Sequence, residues 1–245
     1  MSPSDDLRVF TDAGELARAA AELVLSSARD AIAARGGFHL ALAGGTTPRA
    51  MYVELSVRRA AEAGFEDWHA WFGDERGVPP EDPRSNHRMA AESGLLGRLP
   101  AGQVHRMRGE APDLQREAER YERELCSVLG TPPRLDLVLL GLGTDGHTAS
   151  LFPASPALRS RRWVTVGQAP VPPHGRLTLT LPTLAEARSL VFLVSGADKA
   201  PALAGVLDST GAAVPARLVR PRAGSLIWLT DRSANASRPS EPRTA

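Results

Sequence analysis

The string Gly141-Leu142-Gly143-Thr144-Asp145-Gly146-His147-Thr148-Ala149-Ser150 puts a carboxylate and an imidazole two residues apart on a glycine-rich segment. An ordinary imidazole titrates at about 6.5, so a histidine oriented or tuned by a carboxylate can serve as a general base near neutrality. Gly141, Gly143 and Gly146 also spell G-x-G-x-x-G, the fingerprint of a dinucleotide fold. Two features argue against a nicotinamide-dependent oxidoreductase. Pro153 and Pro156 break the helix that should follow, and no Asp or Glu lies between Asp145 and Glu186 to hold a ribose about 20 residues on. A lone histidine is usually structural, but the packing of glycines around this one favours a loop that presents Asp145 and His147.

Three further segments could handle an anion. In Ala43-Gly44-Gly45-Thr46-Thr47-Pro48, glycines allow close backbone approach, hydroxyls add donors, and a following helix supplies partial positive charge. A tight turn with no ligand fits this segment equally well. Gly73-Asp74-Glu75-Arg76-Gly77-Val78-Pro79, with Ser85-Asn86 beyond, offers a forked donor in Arg76 and two carboxylates to orient it or to bind sugar hydroxyls. On composition alone a solvated charged loop is the better reading there. Lys199 is the single lysine, the other 28 of the 29 basic residues being arginine. Either it survives by chance on a solvated face, or a pocket is shaped around a compact ammonium that a planar guanidinium cannot replace. Arg176 and Lys199 are placed just outside two later strands, and with a parallel strand order they converge with Arg76 and the Gly44 loop on one anion.

Other chemistries fit poorly. There is no G-x-S-x-G elbow, no H-E-x-x-H, and no P-loop lysine. His39, His69, His87, His105 and His174 show no metal-ligand spacing, so no metal is expected. Cys126 is the single cysteine and can form no internal disulfide. A net charge of +1 provides no broad field for nucleic acid or an anionic bilayer, so any anion site must be local. No apolar run reaches the roughly 18 residues of a membrane helix, and the acidic start, Met1 to Asp6, is not a basic leader. A cytoplasmic protein, monomeric or weakly homo-oligomeric, is expected.

The elements that must position these residues alternate in type, which predicts an α/β fold: an open, mostly parallel sheet with helices on both faces. Asp12 caps a helix with a Leu16, Ala20, Leu23 stripe ending at Gly36-Gly37. Phe38 to Ala43 and Trp68 to Phe72 read as strands, with a helix running on from Pro48 after the first. Gly73 to Pro83 reads as a loop before a helix capped by Ser85, and Pro112 to Leu129 as a helix. Leu135 to Leu140 is the central strand, covered on both faces. Arg176 to Leu181 alternates as a half-buried strand, its leucines on one face and Arg176, Thr178 and Thr180 on the other. Leu190 to Val194 and Leu226 to Leu229 complete the strands, with a helix over Asp198 to Leu207 between them. One domain over residues 1–232 is expected, followed by a disordered tail over 233–245.

Four stretches resemble the 6-phosphogluconolactonase family in order and spacing, up to about Asp231. They are Leu40 to Pro48; Phe72 to Arg76 with Val78-Pro79 and Ser85-Asn86; Gly141 to Pro153; and Arg176 to Thr180. The resemblance implies a fold shared with glucosamine-6-phosphate deaminase and ribose-5-phosphate isomerase. It also implies hydrolysis of 6-phosphogluconolactone, in the oxidative pentose phosphate pathway, with no cofactor. On that footing His147 is the general base and Asp145 its neighbour. Arg76, Arg176 and Lys199 bind the substrate phosphate, Gly44, Gly45 and Thr46 cradle the ligand, Asn86 lies nearby, and Asp74 and Gly143 belong to the substrate-binding set. Leu177 stands where the family often has isoleucine. The related deaminases continue their loop His-Ile-Ala-Phe-Asn-Glu-Pro, with the glutamate supporting the histidine; here the equivalent position is Phe152, which cannot polarise an imidazole. A non-catalytic sugar-phosphate sensor would keep the cations and need no base.

Overall fold

The computed structural model describes residues 5–58, 63–208 and 214–236. In chain order the strands are β1 (Asp5–Phe10), β2 (Phe38–Leu42), β3 (Trp68–Phe72), β4 (Asp74–Arg76), β5 (Leu137–Leu140), β6 (Val164–Gln168), β7 (Gly175–Leu179), β8 (Ser189–Val194) and β9 (Ser225–Asp231). The helices are α1 (Ala13–Arg35), α2 (Thr46–Arg58), α3 (Asn86–Glu92), α4 (Leu114–Leu129), α5 (Leu181–Glu186), α6 (Ala200–Leu207) and α7 (Pro215–Leu218), with short 3-10 turns between. Six strands form one parallel sheet in the order β1-β9-β8-β5-β2-β3. All four residues of β5 are buried, so both faces of the sheet are covered at its centre, as its unbroken apolar run dictates.

The chain leaves β2 toward β3 on one side and β5 toward β8 on the other, so the direction of winding reverses between β2 and β5. Loops after neighbouring strands part at such a point and leave a crevice at the carboxyl ends. The Gly44-Gly45 loop and the Gly141 to Pro153 loop border that crevice. Local chemistry anchors the flanking helices. Asp12 accepts from Glu15 N at 2.8 Å to start α1, and Gly36, with φ of 76°, ends it in the left-handed region that glycine adopts without strain. The buried face of α1 runs through Leu16, Ala20, Val24 and Ala28, whereas Leu23 of the expected stripe packs only at the margin of the core.

Three strands are additional to those read from the pattern, and none has an apolar run long enough to mark it. β1 is an edge strand beginning Asp-Asp, paired in register with β9 from Asp5↔Leu226 to Phe10↔Asp231. β4 is three charged residues, and β6 carries Thr, Gly and Gln. With β7 these last two form a separate antiparallel sheet in the order β4-β7-β6. The 176–181 segment is therefore not part of the parallel sheet, and it is not half-buried: Arg176 is 7% exposed and Leu177, Thr178 and Leu179 are fully buried. The reason is that its polar face is also covered, with Thr178 Oγ1 accepting from Ser150 N in the loop after β5. Arg176 lies inside β7, and residues 197–199 form a single 3-10 turn ahead of α6. Beyond β9, residues 232–236 fold back in turns with Ala234 buried; the rest of the expected tail, 237–245, lies outside the described residues.

Candidate active site

At the carboxyl ends of the parallel strands a cavity of about 280 Å³ is walled by Gly44, Gly45, Asp74, Arg76, Gly143, His147, Ala149 and Lys199, among others. A smaller adjoining space of about 160 Å³ shares Gly44, Gly45 and Lys199 and adds Thr46, Thr47 and Ser195. Residues separated by more than 150 positions in the chain therefore face one crevice.

His147 is held from two sides. Its Nδ1 lies 2.5 Å from Asp145 Oδ1, which also accepts from the His147 backbone N–H at 3.1 Å. A carboxylate is acceptor only, so Nδ1 carries the proton in the tautomer this geometry assigns, and Nε2 keeps its lone pair. No other hydrogen bond to that ring is made among the described residues. Burial pushes the Asp145 carboxyl upward, but the backbone and ring N–H groups of His147 outweigh it and hold Asp145 below the ordinary carboxylate value. The Phe152 ring lies against the imidazole at a centroid distance of 4.5 Å.

The glycines of this loop have separate reasons. A Cβ on Gly143 would fall 2.0 Å from His147 Nδ1 and 2.7 Å from Asp145 Oδ1, so the acid-imidazole pair exists only because that side chain is missing. Gly146 has φ of 78° and backs onto Val214. Gly143 N donates to His147 O at 2.8 Å and Thr148 Oγ1 to Gly141 O at 2.8 Å, which closes the loop on itself. Ala149, on the cavity wall, takes the left-handed backbone at φ of 48° without being glycine.

The Gly44 loop is pinned from below by Tyr52 of α2, whose hydroxyl accepts from Ala43 N and donates to Ala43 O, both at 2.9 Å. Burial pushes that phenol far above its ordinary value, so it stays neutral and can do both. Gly44 must be glycine because Asn86 Oδ1 would lie 2.1 Å from a Cβ. Asn86 does not line the main cavity; its amide donates to Asp74 O at 2.9 Å and to Asp74 Oδ1 at 3.1 Å. Ser150 Oγ holds the other Asp74 oxygen at 2.7 Å, so this buried carboxylate is braced from both sides at the wall.

Glu75, which spacing offered as a partner for Arg76 or a sugar hydroxyl, has a structural position. It is 2% exposed and accepts from the backbone N–H groups of Arg76, Asn86 and His87 and from Ser85 Oγ. It thereby caps the start of α3. Burial raises its carboxyl, and these hydrogen bonds offset only part of the rise.

The cations divide into two groups. Arg76 and Lys199 reach the cavity, Lys199 with Nζ 3.2 Å from the exposed Asp198 carboxylate. Arg176 does not line it. It stands directly opposite Arg76 in the β4-β7 ladder, and its Nη1 donates to the carbonyls of Pro173 and Gly175. Burial first, and then the Arg76 charge, hold its guanidinium below the ordinary arginine value. Among the described residues no carboxylate forms an ion pair with either arginine. Ser150 and Tyr52 are the supports that spacing did not assign, and Glu75 is a support where spacing offered a ligand. Ser150 ends the glycine string, but nothing in the local pattern points it at Asp74, 76 residues away. Among the described residues no group of three His, Cys, Asp or Glu is arranged to hold a metal ion, and no helix is long and apolar enough to cross a membrane.

Residues 11–228 match the family described as glucosamine-6-phosphate isomerases/6-phosphogluconolactonase. A 6-phosphogluconolactonase of Synechocystis is 44% identical over 83% of this chain and 86% of its own. One of Homo sapiens is 37% identical over 93% of this chain and 92% of its own. The solved 6-phosphogluconolactonase from Trypanosoma cruzi superposes with a TM-score of 0.87 at 30% identity, covering 97% of this chain and 98% of the other. The sheet order, the crevice and the matched span lead to one conclusion: the chain belongs to the glucosamine-6-phosphate isomerase/6-phosphogluconolactonase family.

Proposed function

We propose that this chain hydrolyses the ring ester of 6-phosphogluconolactone, with His147 as general base and the substrate phosphate held by Arg76 and Lys199. The observation that carries the reading is that a carboxylate-backed imidazole with an unused Nε2 shares one cavity with two cations drawn from distant segments, the end of β4 and the turn before α6. The cavity, about 280 Å³, lies near the lower end of small-ligand pockets, which begin at roughly 300 Å³. That suits one phosphorylated sugar better than a dinucleotide.

Water bound at His147 Nε2 loses its proton to the ring as its oxygen attacks the lactone carbonyl. Asp145 fixes the tautomer and stabilises the imidazolium that forms. The carbonyl oxygen gains charge and needs donors already in place. Gly143 N–H and Gly146 N–H are spent on His147 O and Gly143 O, whereas the amides of Gly44 and Gly45 meet no protein acceptor among the described residues. These two are the oxyanion donors in this reading. The tetrahedral intermediate then collapses, the ring C–O bond breaks, and the imidazolium returns its proton to the departing sugar oxygen. Arg176 works from behind: two adjacent guanidinium groups without a paired carboxylate favour a dianion in front of them. Phe152 against the imidazole, where deaminases of the family carry glutamate, speaks against amino-sugar deamination.

The test is acid release at neutral pH from freshly generated lactone, with spontaneous opening as the blank. His147→Ala should lower kcat by about 10²–10⁴-fold with little change in KM. Undiminished turnover in that variant overturns the base assignment, and a wild-type rate equal to the blank overturns the activity.

A further inference from the structure

Lys199 is delivered to the cavity by a short loop after β8, and that loop is held by a carboxylate from another strand. Asp231, the last residue of β9, is 4% exposed and accepts from two segments at once. Its Oδ2 takes the Ser195 hydroxyl at 2.6 Å and Gly196 N at 3.2 Å. Its Oδ1 takes Ser233 Oγ at 2.8 Å and Ala234 N at 2.7 Å. The peptide at Gly196 passes this restraint on, because Gly196 O accepts from Lys199 N at 3.0 Å. Gly196 itself has φ of 104°, and a Cβ there would meet Asp198 Oδ1 at 2.7 Å, so the turn is specific to glycine. Two hydrogen bonds therefore connect a carboxylate outside the cavity wall to the backbone of the one lysine on it.

We propose that Asp231 is a positioning residue for phosphate binding: by clamping the Ser195-Gly196 turn it sets where Lys199 meets the substrate phosphate. The proposal rests on the reading of Lys199 as a phosphate ligand. Burial would raise the Asp231 carboxyl, but the Ser195, Ala234, Ser233 and Gly196 donors outweigh it and hold it below the ordinary value, so it is an anion at neutral pH. An amide is a poor replacement. Ala234 N–H faces Oδ1 at 2.7 Å, and Gly196 N–H lies between the two oxygens, 3.2 Å from Oδ2 and 3.3 Å from Oδ1, so an asparagine turns its NH₂ either onto Ala234 N–H or against the Gly196 N–H that Oδ2 now shares. Asp231 touches no substrate in this scheme and acts only through the turn.

The experiment is a double-mutant cycle on the lactonase assay, reading KM and kcat separately, with the product 6-phosphogluconate as competitive inhibitor. Asp231→Asn should raise KM and the inhibition constant by about tenfold and leave kcat within about twofold. In a Lys199→Ala background the same substitution should add almost nothing. Ser195→Ala, which removes one clamp bond and keeps the carboxylate, should give a smaller rise of the same kind and covers the case in which Asp231→Asn does not fold. If either clamp substitution lowers kcat instead of raising KM, or keeps its full effect without Lys199, Asp231 is only a structural residue and the proposal fails. If Lys199→Ala alone leaves KM and the inhibition constant unchanged, the phosphate role of Lys199 fails first, and the proposal with it.

Discussion

His147 and Gly143 show how tightly an acid-imidazole pair can depend on a missing atom. The Asp145-His147 contact of 2.5 Å passes over Gly143 so closely that one methyl group would displace the ring. Gly143→Ala should therefore reduce kcat by about 10²-fold through misplacement of the proposed base, while the cations proposed to hold the phosphate stay where they are and KM moves little. Steady-state kinetics on the purified variant, with circular dichroism to show an intact fold, makes the check; a kcat equal to wild type would mean that the pair is not the base. Asp145, Gly143 and His147 were legible as a unit because they lie within five residues. Tyr52, which holds the facing loop through Ala43, was not, because a buried tyrosine on a helix looks like any core aromatic until its hydroxyl is followed to a backbone partner.

The small antiparallel sheet and α3 form the unit that presents Arg76, Asp74 and Asn86, and Glu75 ties that unit together. Its two oxygens accept from three backbone N–H groups and one hydroxyl, so an amide in its place faces a donor with a donor whichever way it is turned. We expect Glu75→Gln to destabilise the fold by about 2 kcal/mol, with Tm lower by roughly 4–8 °C. Scanning calorimetry reads this directly. The folded fraction should also show a raised KM, because α3 carries the Asn86 amide that braces Asp74. A variant as stable as wild type would show that the cap contributes nothing. Charge at Glu75 suggested chemistry in the sequence; burial and three backbone partners make it a helix cap.

At the scale of the whole molecule, the pole opposite the crevice carries a histidine cluster whose burial makes stability depend on pH in mild acid. His39 and His69 pair across β2 and β3 with their rings stacked at 4.5 Å, and His69 Nδ1 lies 3.1 Å from Nε2 of His105, whose Nδ1 is in turn 2.7 Å from Glu124 Oε1. Burial, followed by the neighbouring His69, lowers His39 from 6.5 to about 4. Burial likewise lowers His69, and, apart from this cluster, His87 in α3. The unfolded chain takes up these protons first, so stability is full above pH 6.5 and is lost as pH falls toward 4. Urea unfolding across that range should show a loss of about 1–2 kcal/mol from His39, allowing for solvent screening of a ring only partly buried. His39→Gln should flatten the slope, and a profile already flat in the wild type would refute the assignment.

Local order along the chain determined what a short segment can specify alone: the caps at Asp12 and Ser85, the apolar β5, the glycine loops, and the pairing of an acid with an imidazole two residues away. Tertiary structure decided what depends on partners far off in sequence. β1 exists as a strand because β9 lies beside it, and β4 and β6 exist because β7 does; segments of mixed or polar composition gain strand geometry from a neighbour's ladder, and what apolar alternation they carry is too short to announce it. The same holds for the cations. Alternation assigned Arg176 to a face of its strand but could not say that the face would be covered, which leaves Arg76 and Lys199 on the cavity wall and Arg176 behind it. A side-chain pattern records which residues avoid water, whereas the meeting of two charges depends on long-range closure of the chain.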